Sequence, residues 1–368
     1  MNKLFFALLS SLMLIACSPA QPPATGMGQL LDGDVQGYSP VTPGVKLRFP
    51  ADHMAHDDFR QEWWYLTANL ETQTQEKIGI QWTQFRIALA PPANPQVSTA
   101  GGGSKTPWQT QQLYMSHTAI TTQASHKAAE KWSRGHNSIA GTQAKPLSIR
   151  QDDWQWISQN EHLFPATLNV ATTDFSYQLQ LTSSAPFQLH GKNGYSEKNA
   201  VGTVASYYYT QPFINVSGHL VRNGKREYVS GKAWLDREWS SQFLSKTQQG
   251  WDWFAIRLTN TTTLMLFQLR DSSDPKAHFY SAKLMHQDGT GSIINNSQIH
   301  MTPSAWQVTA SGRYPTQWHI EIPSQNIDIT TKPLNNDSSM PLSIPYWEGP
   351  IIVSGTHQGM GYMELTGY

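Results

Sequence analysis

The chain has a single cysteine, Cys17, among its 368 residues, and this scarcity excludes several kinds of chemistry. One cysteine cannot form an internal disulfide, and a metal site built from several thiolates is excluded as well. Because Cys17 comes so early, the sequence after it has no thiol nucleophile. Oxygen, nitrogen and aromatic groups must therefore carry out whatever chemistry this chain performs.

An excess of charge of one sign is also missing. The 26 basic and 26 acidic residues give a formal net charge of zero, and there is no Lys/Arg run. We therefore predict no nucleic-acid partner, since phosphate backbones are bound by clustered positive charge. The sequence also lacks a GxSxG elbow, a P-loop and a Rossmann glycine pattern, which argues against serine hydrolases and nucleotide-binding enzymes. We expect no cofactor.

The segment DHMAHDDF, residues 52–59, offers His53, His56, Asp57 and Asp58 as candidate metal ligands. It lacks the HExxH pattern of zinc enzymes and has no cysteine partner. We expect these histidines to form hydrogen bonds beside Glu62, and we expect no metal site.

The first long apolar run, LFFALLSSLMLIA, follows Lys3 and leads directly to Cys17. It is too short to span a membrane as a folded helix and predicts a signal peptide, residues 1–17. The residues LIAC resemble the lipobox of bacterial lipoproteins, whose cysteine is acylated and becomes the mature N-terminus. The alternative is an ordinary signal peptide with a chance cysteine. We expect an exported protein held at the periplasmic side of a membrane by lipidated Cys17, with Ser18 favouring the outer membrane.

The rest of the chain has an all-β pattern. Residues 18–40 begin rich in Pro and Gly and predict a flexible linker. After it, short aromatic and β-branched runs alternate with turn residues every ~8 to 12 residues. We predict two β domains in tandem, residues 41–211 and 212–368. The one candidate helix is SHKAAEKW, residues 125–132.

Turn signals within this pattern divide the strands. Asn223-Gly224 predicts a type I′ turn between two strands. Further hairpins are expected at 260–262 and 288–289, and long loops at 90–107 and 331–345.

A short internal repeat, called the internal echo below, supports the two-domain prediction. WWYLTANL, residues 63–70, aligns with WDWFAIRL, residues 251–258, and each is followed by a Gln-x-Arg strand. Chance similarity between aromatic strands is the alternative.

Strand alternation divides the first of these segments into two faces. Trp63, Tyr65, Thr67 and Asn69 share one face, and Trp64, Leu66, Ala68 and Leu70 the other. We expect the aliphatic face to pack and the aromatic face to line a ligand pocket, with Glu62 at its mouth. Ordinary core packing of the rings is the alternative. Beyond the residues already given, the candidate ligand-binding side chains are Arg86, Trp239, Trp253 and His53.

GKAWLDREW, residues 231–239, places Asp236 and Glu238 on one face of a strand, about 6 to 7 Å apart at their Cα atoms. Arg237 and Trp239 fall on the reverse face. Two neighbouring acids in an aromatic, poorly hydrated setting raise the pKa of one of them, which keeps that acid protonated and able to donate near neutral pH. Alternatively, both acids lie on a wet edge and pair with Arg237 or Lys232. The candidate catalytic residues are Asp236, Glu238 and Glu62.

Three blocks, PADHMAHDDFRQEWWYLTANL, then GKAWLDREWSSQFL with GWDWFAIRL, and finally YWEGPIIVSGTHQGMGYMELTGY, carry a resemblance. Together they resemble the AttH-like family of exported bacterial proteins, related to carotenoid 1,2-hydratase and kievitone hydratase. The resemblance runs from about residue 45 to the C-terminus. It implies two lipocalin-like (calycin) antiparallel β-barrels in tandem and a possible ABC transporter partner. The aspartate of the hydratase branch matches Asp236, whereas Arg237 and Glu238 replace its His and Asn.

Three functions agree with these features. The first is an enzyme, a hydratase or hydrolase, that adds water to a hydrophobic lipid or isoprenoid-like ligand by acid catalysis at Asp236. The second is a non-catalytic carrier of such a ligand that works with the exporter. The third is a structural envelope lipoprotein whose aromatic residues are core.

Overall fold

The computed structural model describes residues 33–92, 110–136 and 138–368. The predicted signal peptide, its Cys17, residues 18–32 of the linker and most of the loop at 90–107 lie outside these ranges. None of the helices in the described ranges has the length and apolar character needed to cross a membrane.

The described residues form 23 strands and four short 3-10 helices. The helices are Ala51–His53, Pro275–Ala277, Asn296–Gln298 and Pro323–Gln325. The strands are β1 (Gln61–Thr72), β2 (Lys77–Ala88), β3 (Gln112–Thr121), β4 (His126–Arg134), β5 (Ala140–Ala144), β6 (Leu147–Gln151), β7 (Trp154–Ser158), β8 (Ala166–Ala171), β9 (Phe175–Thr182), β10 (Gln188–Leu189), β11 (Tyr195–Glu197), β12 (Ala205–Arg222), β13 (Lys225–Ser240), β14 (Gln248–Arg257), β15 (Thr262–Asp271), β16 (Phe279–His286), β17 (Gly291–Ile294), β18 (His300–Thr309), β19 (Gly312–Ile322), β20 (Ile327–Pro333), β21 (Ser339–Met340), β22 (Tyr346–Gly355) and β23 (Gly359–Leu365).

These strands form two antiparallel sheets. Sheet 1 has the order β4-β3-β2-β1-β13-β12-β9-β8-β7-β6-β5, with β10 and β11 added to β12, and curls into a barrel. Sheet 2 has the order β17-β16-β15-β14-β23-β22-β20-β19-β18, with β21 added to β22, and forms a half-barrel. The predicted all-β, lipocalin-like fold is confirmed.

The sequence-based helix at 125–132 is wrong, because this segment forms β4. Ala128 packs on the cluster between the sheets, whereas Ala129 packs on the core of the barrel. Consecutive side chains that point to opposite faces are typical of a β-strand. The backbone groups of β4 also pair with those of β3. The alanine-rich composition was therefore misleading.

The boundary between the sheets differs from the predicted domain boundary at 211/212, which would cut β12. Both β12 and β13 belong to sheet 1, so the chain passes to sheet 2 between Ser240 and Gln248. The predicted type I′ turn at Asn223-Gly224, with φ of 51° and 71°, keeps these long strands paired. Pro212 lies at a register shift within β12, where a proline is tolerated, and not at a domain boundary.

Apolar residues form one core inside each sheet, one between the sheets and a smaller cluster around Trp239. Trp64, Leu66, Ala68 and Leu70 lie in the barrel core, whereas Tyr65 and Trp63 pack in the cluster between the sheets. The predicted division of β1 into two faces is confirmed. The face that carries Trp63 and Tyr65 points away from the barrel interior and toward the second sheet.

The internal echo is visible in the strand pairing. Glu62 lies opposite Arg86 in the β1–β2 pair, and Gly250, the equivalent of Glu62, lies opposite Arg270 in the β14–β15 pair. Phe254 and Ile256 of β14 likewise lie in the half-barrel core. The outer faces of β1 and β14 can therefore contribute equivalent residues to the space between the sheets.

Candidate active site

The candidate site is built from cross-strand neighbours on the two facing sheets. On sheet 1, Trp63 lies opposite Glu238 and Tyr65 lies opposite Asp236. On sheet 2, Trp253 lies opposite Glu364. Each sheet therefore presents a carboxyl group beside an aromatic ring, and both sets face the same cavity.

Asp236 and Glu364 occupy equivalent positions in the internal echo. Since Trp63 aligns with Trp251, Tyr65 aligns with Trp253, and these two residues pair with Asp236 and Glu364. An indole N–H donates to each acid, from Trp234 to Asp236 Oδ1 at 2.8 Å and from Trp251 to Glu364 Oε1 at 2.9 Å. The two sheets thus present a matched pair of acids.

The cavity is narrow and mostly apolar. The cavity volume is about 50 Å³. All the free space between the lining atoms, counted out to the opening to solvent, is about 560 Å³. Tyr65 and Trp253 meet edge-on across the two sheets, with ring centroids 5.2 Å apart. The lining residues are Trp63, Tyr65, Thr83, Phe85, Lys198, Tyr208, Asp236, Glu238, Phe243, Trp251, Trp253, Phe267, Leu269 and Glu364.

Asp236 is placed to hold a proton near neutral pH. It is buried, and burial raises the pKa of its carboxyl to about 7, although hydrogen bonds from Thr210, Trp234 and Tyr208 lower it in part. The Tyr208 hydroxyl donates to Asp236 Oδ2 at 2.8 Å. At neutral pH the neutral and ionised forms of Asp236 are both populated.

Two further acids on sheet 2 are held in the neutral form. Burial raises the pKa of Glu364 to about 8, and the charges of Asp236 and Glu238 add to this effect. Glu348 lies opposite Glu364 on the next strand, and burial beside that carboxyl raises the pKa of Glu348 well above its usual range. The Tyr65 hydroxyl donates to Glu348 Oε1 across the sheets.

Glu238 differs from its neighbours because it has a cation. The Lys198 ammonium lies 2.6 Å from Glu238 Oε1, and Ser206 donates to the same oxygen. Lys198 is 2% exposed and its Nζ lies 4.6 Å from the ring centroid of Phe267. A buried ammonium needs an anion, so this pair places one carboxylate beside the neutral acids. The alternative of a wet edge with Arg237 or Lys232 as partner is wrong.

The predicted site residues divide into two groups. Asp236, Glu238, Trp63, Tyr65 and Trp253 lie together around the cavity. Trp239 lies on the reverse face of β13, as its position in the strand predicts, and stacks on His56 with ring centroids 4.0 Å apart. It therefore does not line the cavity, and the prediction that it binds ligand there is not supported by its position.

Glu62, Arg86 and His53 also lie away from the cavity. Glu62 has the same strand parity as Trp64, so its side chain lies on the face opposite Trp63 and is not at the pocket mouth. It accepts hydrogen bonds from Arg86 and Arg237, and His56 Nδ1 lies 3.2 Å from its Oε2. The expected histidine partner of Glu62 is therefore confirmed as His56.

His53 has a separate partner, because its Nδ1 lies 2.6 Å from the Tyr209 hydroxyl. In the described ranges, the one group of three side chains with metal-ligand spacing is His319, Glu321 and Asp328, and the His319–Asp328 contact there is 2.8 Å.

Four residues of the site were not found from sequence: Tyr208, Lys198, Glu348 and Glu364. Two signals could have revealed Glu364. Strand alternation in YMELTGY places it on one face with Tyr362 and Thr366, and the match of Trp253 to Tyr65 predicts an acid opposite Trp253, as Asp236 lies opposite Tyr65. No pattern in the sequence pointed to Lys198, since it lies just after the short strand β11 and reaches Glu238 only in the folded chain.

Comparison with known proteins agrees with this architecture. The family model described as AttH-like matches residues 40–368. The chain belongs to the AttH-like family. A crystal structure of an AttH protein from Nitrosomonas europaea, a provisional assignment, has a TM-score of 0.77 and 33% sequence identity, covering 90% of this chain and 99% of that one.

A more distant structure shares the fold of this AttH-like protein. Kievitone hydratase from Nectria haematococca has a TM-score of 0.62 at 13% identity, covering 90% of this chain and 95% of that chain. None of the curated proteins compared with the chain matches it.

Proposed function

We propose that this AttH-like protein is a hydratase that adds water across a carbon–carbon double bond of a hydrophobic, isoprenoid-like or lipid chain bound between the two sheets. One observation carries the proposal: neutral acid groups and a carboxylate surround a narrow, ring-lined cavity. The shared fold with a protein named as a hydratase supports the same reaction class.

The roles follow from protonation. Neutral Asp236 protonates one alkene carbon, and the other carbon becomes a cation that the faces of Trp63, Trp251 and Trp253 stabilise. Water then adds to the cation and gives a proton to the Glu238 carboxylate, which Lys198 holds in place. The products are the alcohol, ionised Asp236 and neutral Glu238: alkene and water have combined, and one proton has moved from Asp236 to Glu238.

The test is mass spectrometry of unsaturated isoprenoids, unsaturated fatty acids and a bacterial lipid extract after incubation with the protein. We expect wild type to produce a species heavier by one water. Asp236→Asn should slow this conversion about 100- to 10,000-fold, the usual range for a lost general acid, with ligand retention unchanged. Asp174→Asn, the same chemical change at an exposed barrel position, is the matched control and should behave as wild type.

Other outcomes have definite meanings. Cleaved fragments would replace the hydratase by a hydrolase at the same site. If wild type and Asp236→Asn retain the same unmodified lipid, the protein is a carrier and the catalytic role of Asp236 is wrong. If neither product nor bound lipid is found, the proposed ligand class is wrong.

We also propose that the protein is exported and anchored by acylated Cys17. The support is the apolar run that ends in LIAC. Labelled palmitate should be incorporated by the full chain and not by Cys17→Ser. An unlabelled wild-type protein would refute the anchor and leave the proposed reaction untouched.

A further inference from the structure

A series of proton-exchanging side chains leads from the candidate site to the protein surface. It consists of Glu348, Tyr346, His117 and Glu130, and it crosses from sheet 2 to sheet 1. We propose that these four residues form a proton path that exchanges protons between the buried acids and the protein surface by a route separate from the cavity opening. The catalytic use of this path rests on the proposed function, whereas its existence does not.

The inner end of the path touches the cavity. Glu348 lies opposite the cavity-lining Glu364, and the cavity-lining Tyr65 donates to Glu348 Oε1. Glu348 Oε2 is buried and has no hydrogen-bond partner within the described ranges. This free oxygen can carry the proton that moves.

The middle of the path joins the two sheets. Tyr346 lies two residues before Glu348 on β22, so the two side chains share a face of the strand. Burial, with the nearby Glu348 carboxyl, raises the pKa of the Tyr346 hydroxyl. The same hydroxyl lies 3.0 Å from Nδ1 of His117, which belongs to β3 of sheet 1. The two rings stack with centroids 5.6 Å apart.

The outer end reaches solvent through Glu130. His117 Nε2 lies 3.8 Å from Glu130 Oε2, and this nitrogen has no hydrogen-bond partner among the groups that the structure describes. The Glu130 side chain is 25% exposed and accepts hydrogen bonds from the Ser343 backbone N–H at 3.0 Å and the Trp132 indole at 3.1 Å. Proton transfer across this 3.8 Å gap requires a bridging water or a small rotation of either side chain.

Each member can both accept and donate. Burial lowers the pKa of His117 to about 4, so at neutral pH its ring has one N–H and one acceptor nitrogen. In the outward direction, the Glu348 proton passes to the Tyr346 oxygen and the Tyr346 proton passes to His117 Nδ1. His117 then releases its Nε2 proton to Glu130, and the reverse order supplies the cavity.

This route answers a requirement of the proposed chemistry. After each turnover Asp236 is ionised and Glu238 is neutral, so the site must redistribute or exchange protons before it acts again. More water around the buried acids would favour their ionised forms and lower their raised pKa values. A path of side chains moves protons to and from these acids without further hydration of the site.

The test is infrared spectroscopy of the protein after rapid transfer from H₂O to D₂O at pH 6. The C=O stretching bands of the protonated buried carboxyl groups shift as O–H exchanges to O–D. We expect this exchange to be about 100-fold slower in Tyr346→Phe than in wild type, the size of a lost positioned proton carrier. Tyr177→Phe, which removes another buried tyrosine hydroxyl, is the matched control and should exchange at the wild-type rate.

His117→Phe provides a second variant that preserves the ring beside Tyr346, in case Tyr346→Phe does not fold. Equal exchange rates in wild type and in the folded variants would overturn the proton path. The measurement needs no substrate. A protein without hydratase activity can therefore still have the path. If the protein is a hydratase without the path, wild type and the variants would exchange at the same rate.

Discussion

Two clusters of buried acids lie on opposite faces of the same two strands, β1 and β13. On one face Glu62 is enclosed by Arg86 and Arg237. On the other, the groups that donate to Asp236, Tyr208 and Trp234 among them, are all neutral. Three consecutive residues, Asp236, Arg237 and Glu238, supply both clusters because side chains alternate along a strand.

The difference is one of charge compensation. Burial alone raises the pKa of Glu62, but the two guanidinium groups outweigh it and hold that pKa well below its usual range. Asp236 has no such cation, and burial raises its pKa. A compensated acid stabilises one charge state and holds structure together, whereas an uncompensated acid can release and regain a proton. This contrast is why we assign the chemistry to Asp236.

The largest stability effect is expected for Glu62→Gln. The change removes the buried anion from both guanidinium groups and leaves Arg86, among the described residues, only the exposed Asp57 carboxylate at 3.9 Å. Breaking such a buried cluster costs about 3 to 5 kcal/mol of unfolding free energy. Urea denaturation at pH 7 measures it. A loss below about 1 kcal/mol, the usual upper limit for exposed ion pairs, would show that the cluster is hydrated and not a structural anchor.

Asp236→Asn should instead increase the unfolding free energy. Between the usual pKa of 3.8 and the folded value of about 7, the folded protein binds more protons at this group than the unfolded chain does. Asp236 therefore lowers stability as pH rises through this window. The substitution should stabilise the fold increasingly from pH 4, by as much as about 4 kcal/mol above pH 7.

Parallel denaturation series of wild type and Asp236→Asn from pH 4 to 8 test this slope. The buried histidines titrate in both proteins and cancel in the difference. A stability difference that does not change with pH would show that Asp236 has no raised pKa and is compensated after all.

The smallest effect is expected at the exposed end of β1. Glu71 and Lys77 form a 2.6 Å ion pair, with side chains 40% and 52% exposed. Glu71→Gln should change the unfolding free energy by less than about 1 kcal/mol, because water solvates both partners. An effect as large as that of Glu62→Gln would undermine the distinction between buried and exposed pairs.

More side-chain positions could be predicted from the sequence on β1 and β13 than elsewhere, because the alternation of side chains along a strand is a local property. It placed Trp63, Tyr65, Asp236 and Glu238 on faces that do meet. It placed Glu62 in the pocket because Glu62 adjoins Trp63 in sequence, although neighbours in a strand point in opposite directions. Composition also misled at β4 and at Pro212, where pairing with distant strands decided the structure.

The sequence by itself determined the all-β class, the two faces of each aromatic strand and the echo between the two sheets, since each depends on residues close together in the chain. Tertiary structure alone decided that the cavity lies between the sheets, that Glu364 and Lys198 join Asp236 there, and that Glu348 lies behind Glu364. The protonation of these acids depends on burial and on charges contributed by strands far apart in sequence. Only the folded chain brings those groups together.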